Sequence, residues 1–322
     1  MRTGKIISKV LLLAGLFMAC NERNQQSFAP SDKNSTGRIE PADKQPNPCE
    51  GIDNIDLCEN VGGSGNLIIK KSIALQMIGN FVSKFKTEAG MDIRAFKPVY
   101  WLDKCAIQDI AAFLKTNVDS LTKKKLDGIR IFIACETKDN PIYGSDPYKR
   151  TTTINIFPTY FEQLGAGKSE HKTSKQKIIL TGTCNSLFLK DYGVAELQNK
   201  EFKNLYRKEG TPQLKDNLSE SIWIDACVLY TLDKLCKLPK ANIDGVNVNM
   251  AAYDKTISLP KPVPGKFSDI QTTVILVPTH LVNGVNENYW EIIDCLYIKA
   301  EEVGLLPSGG FNHGELCPQK CE

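Results

Sequence analysis

Trp101-Leu102-Asp103-Lys104-Cys105 and Trp223-Ile224-Asp225-Ala226-Cys227 are one five-residue pattern written twice. A second shared mark follows in each copy, Asp127-Gly128-Ile129-Arg130-Ile131 and then Asp244-Gly245-Val246-Asn247-Val248. Each copy closes on an apolar run ending in Pro-Thr, Thr152 to Thr159 and Thr272 to Thr279. A duplicated unit fixes the organisation of the chain and shows which positions the fold keeps.

Read outward from these marks, each copy carries the same elements. Ala74, Met77, Ile78, Phe81 and Phe85 recur at three- and four-residue intervals, which predicts an amphipathic helix over about Leu67 to Lys86. Ala195, Phe202 and Tyr206 repeat that spacing in the second copy. Short strands follow at Pro98–Trp101 and Ser221–Trp223. Asp103 and Asp225 then stand where an N-cap is needed, a role worth ~1 kcal/mol. The helices they open carry Ile107, Ile110 and Phe113, or Leu229, Leu232 and Leu235, on one face. Ile129, Ile131 and Ile133 alternate with Arg130 and Phe132; Val246, Val248 and Met250 alternate with Asn247 and Asn249. That period of two predicts half-buried antiparallel strands. Pro158 and Pro278 lack a ladder N–H and are expected to end the last strands.

The order helix, strand, helix, strand, strand defines an α+β class with a mainly antiparallel sheet, built as two tandem copies. The copies occupy 66–160 and 186–280, with a connector at 161–185. Residues 281–322 hold a C-terminal helix, expected from Asn286 to Val303, and a Cys-rich tail. Whether the copies share one sheet or meet at a cleft stays open at this level.

The N-terminus reads as a leader. Arg2, Lys5 and Lys9 precede the apolar run Val10–Met18, which is too short to span a bilayer. Phe17-Met18-Ala19-Cys20 is similar to a lipobox, so 1–19 is expected to be a lipoprotein signal peptide and Cys20 the lipidated (palmitate-bearing) residue. Residues 20–65 are polar and read as a flexible tether. Removing the leader takes three basic and no acidic residues, so the formal charge falls from +3 to zero. A neutral chain carries no electrostatic footprint for nucleic acid.

The ten cysteines after Cys20 permit disulfides in an exported chain. Cys227 and Cys236 fall on one predicted helix, ~13 Å apart along its axis, and cannot bridge. Cys49–Cys58 is the expected pair near the tether. In the tail, a Cys317–Cys321 disulfide is the expected pairing. A zinc site on His313, Cys317 and Cys321 is the alternative, needing a fourth ligand such as His280.

Candidate catalytic groups are few. His280 stands where the first copy has Tyr160, and Arg130 where the second has Asn247. Asp225 is a candidate carboxylate, and Cys227 a thiol near a helix N-terminus, where its pKa can fall. His171 lies in a Lys-rich connector and reads as solvated. Gly165-Ala166-Gly167-Lys168-Ser169 imitates a P-loop end, but Glu162 stands where the first Gly belongs, so that reading is rejected.

Gly128-Ile129-Arg130-Ile131-Phe132, the Pro-Thr strand and Asn312-His313-Gly314-Glu315-Leu316-Cys317-Pro318 together resemble a family of uncharacterised exported proteins of Bacteroidota. The resemblance covers Leu67 to Cys321, with two domain copies here, and departs at Asn247, where the family carries Arg. It implies an exported α+β protein and no particular activity. The expectation is therefore a lipid-anchored cell-envelope protein, non-enzymatic, that binds or scaffolds an envelope protein or glycan. Its membrane contact is the lipid anchor, and Asn21 after Cys20 points to the outer membrane. The alternative is an envelope hydrolase with a site between the repeats that uses His280, Asp225 or a thiol.

Overall fold

In the computed structural model the described residues are 47–55, 57, 68–83, 96–135, 151–165, 168–175, 178–179, 189–190, 192–208, 218–253, 271–302 and 316–317. Cys20, Cys58, His313 and Cys321, and with them the expected leader and lipidation site, lie outside these residues.

The first repeat builds α1 (Lys71–Phe81), β1 (Val99–Asp103), α2 (Lys104–Thr116), β2 (Leu126–Cys135) and β3 (Thr152–Gly165). β4 (Lys168–Thr173) returns along β3, and two short strands follow, β5 (Ile178–Ile179) and β6 (Leu189–Lys190). The second repeat builds α3 (Tyr192–Phe202), β7 (Ser221–Asp225), α4 (Ala226–Cys236), β8 (Ile243–Ala252) and β9 (Thr272–Val282). β10 (Val285–Asn288), α5 (Trp290–Glu302) and β11 (Leu316–Cys317) complete the chain. The class is α+β with two antiparallel sheets.

The sheets do not follow the repeats. One sheet runs β1-β8-β9-β10 and the other β11-β7-β2-β3-β5-β6, with β4 on β3. β1 of the first repeat thus pairs with β8 of the second, Trp101 opposite Asn247 and Asp103 opposite Gly245. β7 of the second pairs with β2 of the first, Trp223 opposite Arg130 and Asp225 opposite Gly128. The helices follow their strands: α1 packs on β8, α3 packs on β2, and α2 packs on α4. Each repeat gives its first helix and strand to the other's hairpin. The boundaries at 66–160 and 186–280 are therefore boundaries in sequence, and Pro46–Glu322 gathers into one compact unit. One hydrophobic core runs through both repeats, from Met77, Ile107 and Ile131 to Leu229, Val248 and Leu296.

Several sequence expectations are corrected here. β2 and β8 are buried on both faces, Arg130 and Asn247 included, because helices cover both sides. β3 and β9 run through Pro158 and Pro278. Each proline sits beside a register shift in the partner strand, and its carbonyl accepts an N–H at 2.8 Å, from Ser174 and Tyr289 respectively. The C-terminal helix starts at Trp290, not Asn286, because Asn283 and Gly284, both at positive φ, turn the chain back as a hairpin. Asn-Gly is the strongest short-range hairpin signal a sequence carries. Part of the connector at 161–185 is β4.

Cys49 bonds Cys295, not Cys58, and with Ile52 and Ile55 buried in the core the stretch around it, expected as part of the tether 20–65, is packed against α5. A pair 246 residues apart cannot be read from local spacing. Beside it, the Lys299 ammonium donates to the Ile52 and Asp53 carbonyls, at 2.9 and 2.6 Å, and to Ile55 O.

Candidate functional site

The repeated residues meet where the exchanged strands cross. Asp103 and Asp225 cap α2 and α4, each accepting an N–H two residues on, from Cys105 and Cys227, at 2.7 Å. The Trp223 indole N–H donates to Thr159 Oγ1 at 3.0 Å, and the Thr159 hydroxyl donates to Asp127 Oδ1 at 2.6 Å. In the other half Trp101 donates to Thr279 at 3.1 Å, and Thr279 to Asp244. Indole, hydroxyl and carboxylate form one relay in both copies, and every relay crosses from one repeat to the other.

Gly128 and Gly245 are required beneath these indoles. A Cβ at Gly128 would lie 2.3 Å from Ile224 O and 2.8 Å from Trp223 Nε1. At Gly245 the corresponding distances are 2.4 Å to Leu102 O and 2.5 Å to Trp101 Nε1. The shared Trp, Asp-Gly and Pro-Thr marks are thus the parts of a clasp.

The two clasps differ in what meets the second carboxylate oxygen. In the first, His171 Nδ1 lies 2.8 Å from Asp127 Oδ2. An ionised carboxylate only accepts, so Nδ1 donates to it, and in the neutral ring Nε2 then carries the lone pair. The imidazole stacks on Trp223 with centroids 3.7 Å apart, and Phe161 meets it edge-on at 5.5 Å. Arg130 is buried and its Nη2 donates to the His171 carbonyl at 2.9 Å, which holds β4 down. In the second clasp, hairpin register puts Asn286 in the place of His171: Phe161 pairs with His171, and Leu281 with Asn286. With its amide turned so that both ends find partners, Asn286 donates to Asp244 Oδ2 at 3.1 Å and accepts from the Trp101 indole at 3.3 Å.

His171 is therefore not a solvated connector residue. It is held at the junction, with only 17% of its side chain exposed. Its polar sequence surroundings hid this, because the hairpin that carries it is long and two-sided. The Gly165-Ala166-Gly167 run was the available signal; Gly165 takes φ +83° and opens the turn into β4.

Of the sequence candidates, Asp225 lies at this junction. Burial raises its carboxyl above the usual range, with the Asp127 carboxylate adding to the rise and His171 opposing it. His280 does not join it. His280 sits in the other sheet, stacked on Tyr289 with centroids 4.1 Å apart. Cys227 is disulfide-bonded, as is Cys105, so neither offers a thiolate. Cys236 is a buried thiol that desolvation, with the Asp233 carboxylate, pushes up to about 12, which leaves it inert. No group of three or more metal-binding side chains occurs among the described residues. The tail residues His313, Cys321 and the Cys317 side chain lie outside them; the Cys317 backbone pairs with Ser221.

No protein-family model, curated protein or solved structure matches the chain.

Proposed function

We propose that the chain is an exported, lipid-anchored envelope protein whose working surface is the junction between the exchanged repeats. The observation that carries the compartment is the Cys49–Cys295 disulfide, with Cys105 and Cys227 also oxidised. Such bonds form and persist where thiols are not kept reduced. Together with the lipobox-like Phe17–Cys20, they support anchoring through Cys20 and presentation of the domain on a polar tether, at the outer membrane. The role is binding or scaffolding of an envelope protein or glycan. Its support is that the repeated polar residues are engaged in the clasp and hold the two halves in a fixed relation. The test is metabolic labelling with palmitate. Label on the wild type and none on Cys20→Ala is expected; an unlabelled wild type in the soluble fraction refutes the anchor.

A second reading, an envelope hydrolase with its site between the repeats, is favoured by the convergence of His171, Asp127 and Asp225 at that junction.

A further inference from the structure

The junction is built twice but carries an imidazole once. Asn286 closes the second clasp with an amide, so the fold does not need a histidine at this place. His171 makes the same bond to its carboxylate and adds a second ring nitrogen. Among the described residues, only Nδ1 of the ring bonds another side chain. Nδ1–H on Asp127 fixes both the tautomer and the ring plane, and the Trp223 face behind it fixes the tilt. An imidazole oriented by a carboxylate, with its far nitrogen bonded to no side chain among the described residues, has the geometry of a general base.

We propose that His171 is the general base of a hydrolytic site for neutral acyl esters at the repeat junction, with Asp127 as its positioning residue. This rests on the hydrolase reading. Nε2 takes a proton from water as the water oxygen bonds the acyl carbon. The tetrahedral adduct then expels the alkoxide by breaking the acyl C–O bond, and the proton on Nε2 passes to the alkoxide. Acid and alcohol leave, and the imidazole is restored. Two carboxylates beside the imidazole, Asp127 and Asp225, make the place repel phosphate and other anions. The half-exposed Phe161 ring gives an apolar contact for an acyl or aryl group. An ester suits a single imidazole because an alkoxide leaves without prior protonation more readily than an amide nitrogen.

The probe is p-nitrophenyl acetate with full-length protein in detergent micelles. His171→Asn copies the closure of the second clasp, so it is expected to melt near the wild-type temperature while hydrolysis falls at least about tenfold. His280→Asn is expected to leave the rate unchanged. Asn286→His, with Asp244 waiting for it, is expected to raise it. A folded His171→Asn protein with the wild-type rate overturns the proposal. Should that variant not fold, diethyl pyrocarbonate labelling of the wild type decides: His171 modified ahead of His280 is expected, and the reverse order overturns it. Loss of this proposal leaves the anchored binding reading intact, since palmitate labelling tests that separately.

Discussion

Trp223, from the second repeat, donates its indole N–H to Thr159 of the first, and Trp101 returns the same bond to Thr279. These two bonds mark where the repeats hold one another. Thr159→Val removes the acceptor for the buried indole N–H and the donor for the part-buried Asp127 Oδ1. Each such loss costs about 1–3 kcal/mol. The expected result is a urea midpoint lowered accordingly, with an unchanged slope.

Gly128→Ala is expected to cost more. The new methyl would overlap Ile224 O of the exchanged strand, which is backbone and cannot step aside. A loss of about 3 kcal/mol or more is expected from overpacking at this crossing. Gly245→Ala should behave alike. Gly79, whose Cβ would meet nothing within 4 Å, is the control: Gly79→Ala should be neutral or stabilising in chemical denaturation.

Removing the Cys49–Cys295 bond should lower stability by up to about 5 kcal/mol on the chain-entropy view, because the loop it closes is so long. Cys295→Ser is the variant to melt. Wild-type protein should also run faster than the variant on a non-reducing gel, and equal mobility would refute the pairing.

Two aspartates should bend the pH profile in opposite senses. Burial would raise the Asp119 carboxyl, but hydrogen bonds from Ser174, Thr122 and Leu121 outweigh it and hold it below the usual range. Its contribution is present above the unfolded-state pKa and lost as pH falls through the lower folded value. Asp225 is raised, so its contribution is present at low pH and lost as pH rises through the folded value. Asp225→Asn keeps an N-cap acceptor and removes the buried charge. It should therefore be neutral or stabilising at pH 7, whereas Asp119→Asn should flatten the acid limb of the melting profile.

Much of this fold is legible in the sequence. The caps at Asp103 and Asp225 and the apolar faces of α2 and α4 follow from local rules, whereas the need for Gly128 and Gly245 comes from a strand of the other repeat. Asn283-Gly284 was legible too, and starting the helix at Asn286, just past it, misplaced β10. Pro158 and Pro278 misled, because a proline ends a strand only where its N–H would be needed. The Cys49–Cys295 pair was not legible, since spacing says nothing about partners so far apart.

The sequence by itself determined that one α+β unit is written twice and that its marks include helix caps at Asp103 and Asp225. Only the tertiary structure decided that β1 and α1 join the second hairpin while β7 and α3 join the first. Either hairpin offers the same pattern to either strand, so local propensity cannot choose; connection length and packing in the shared core do. That choice also placed His171. The stretch around it is polar enough to read as loop, and only the exchanged Trp223 gives its ring a wall to lie on.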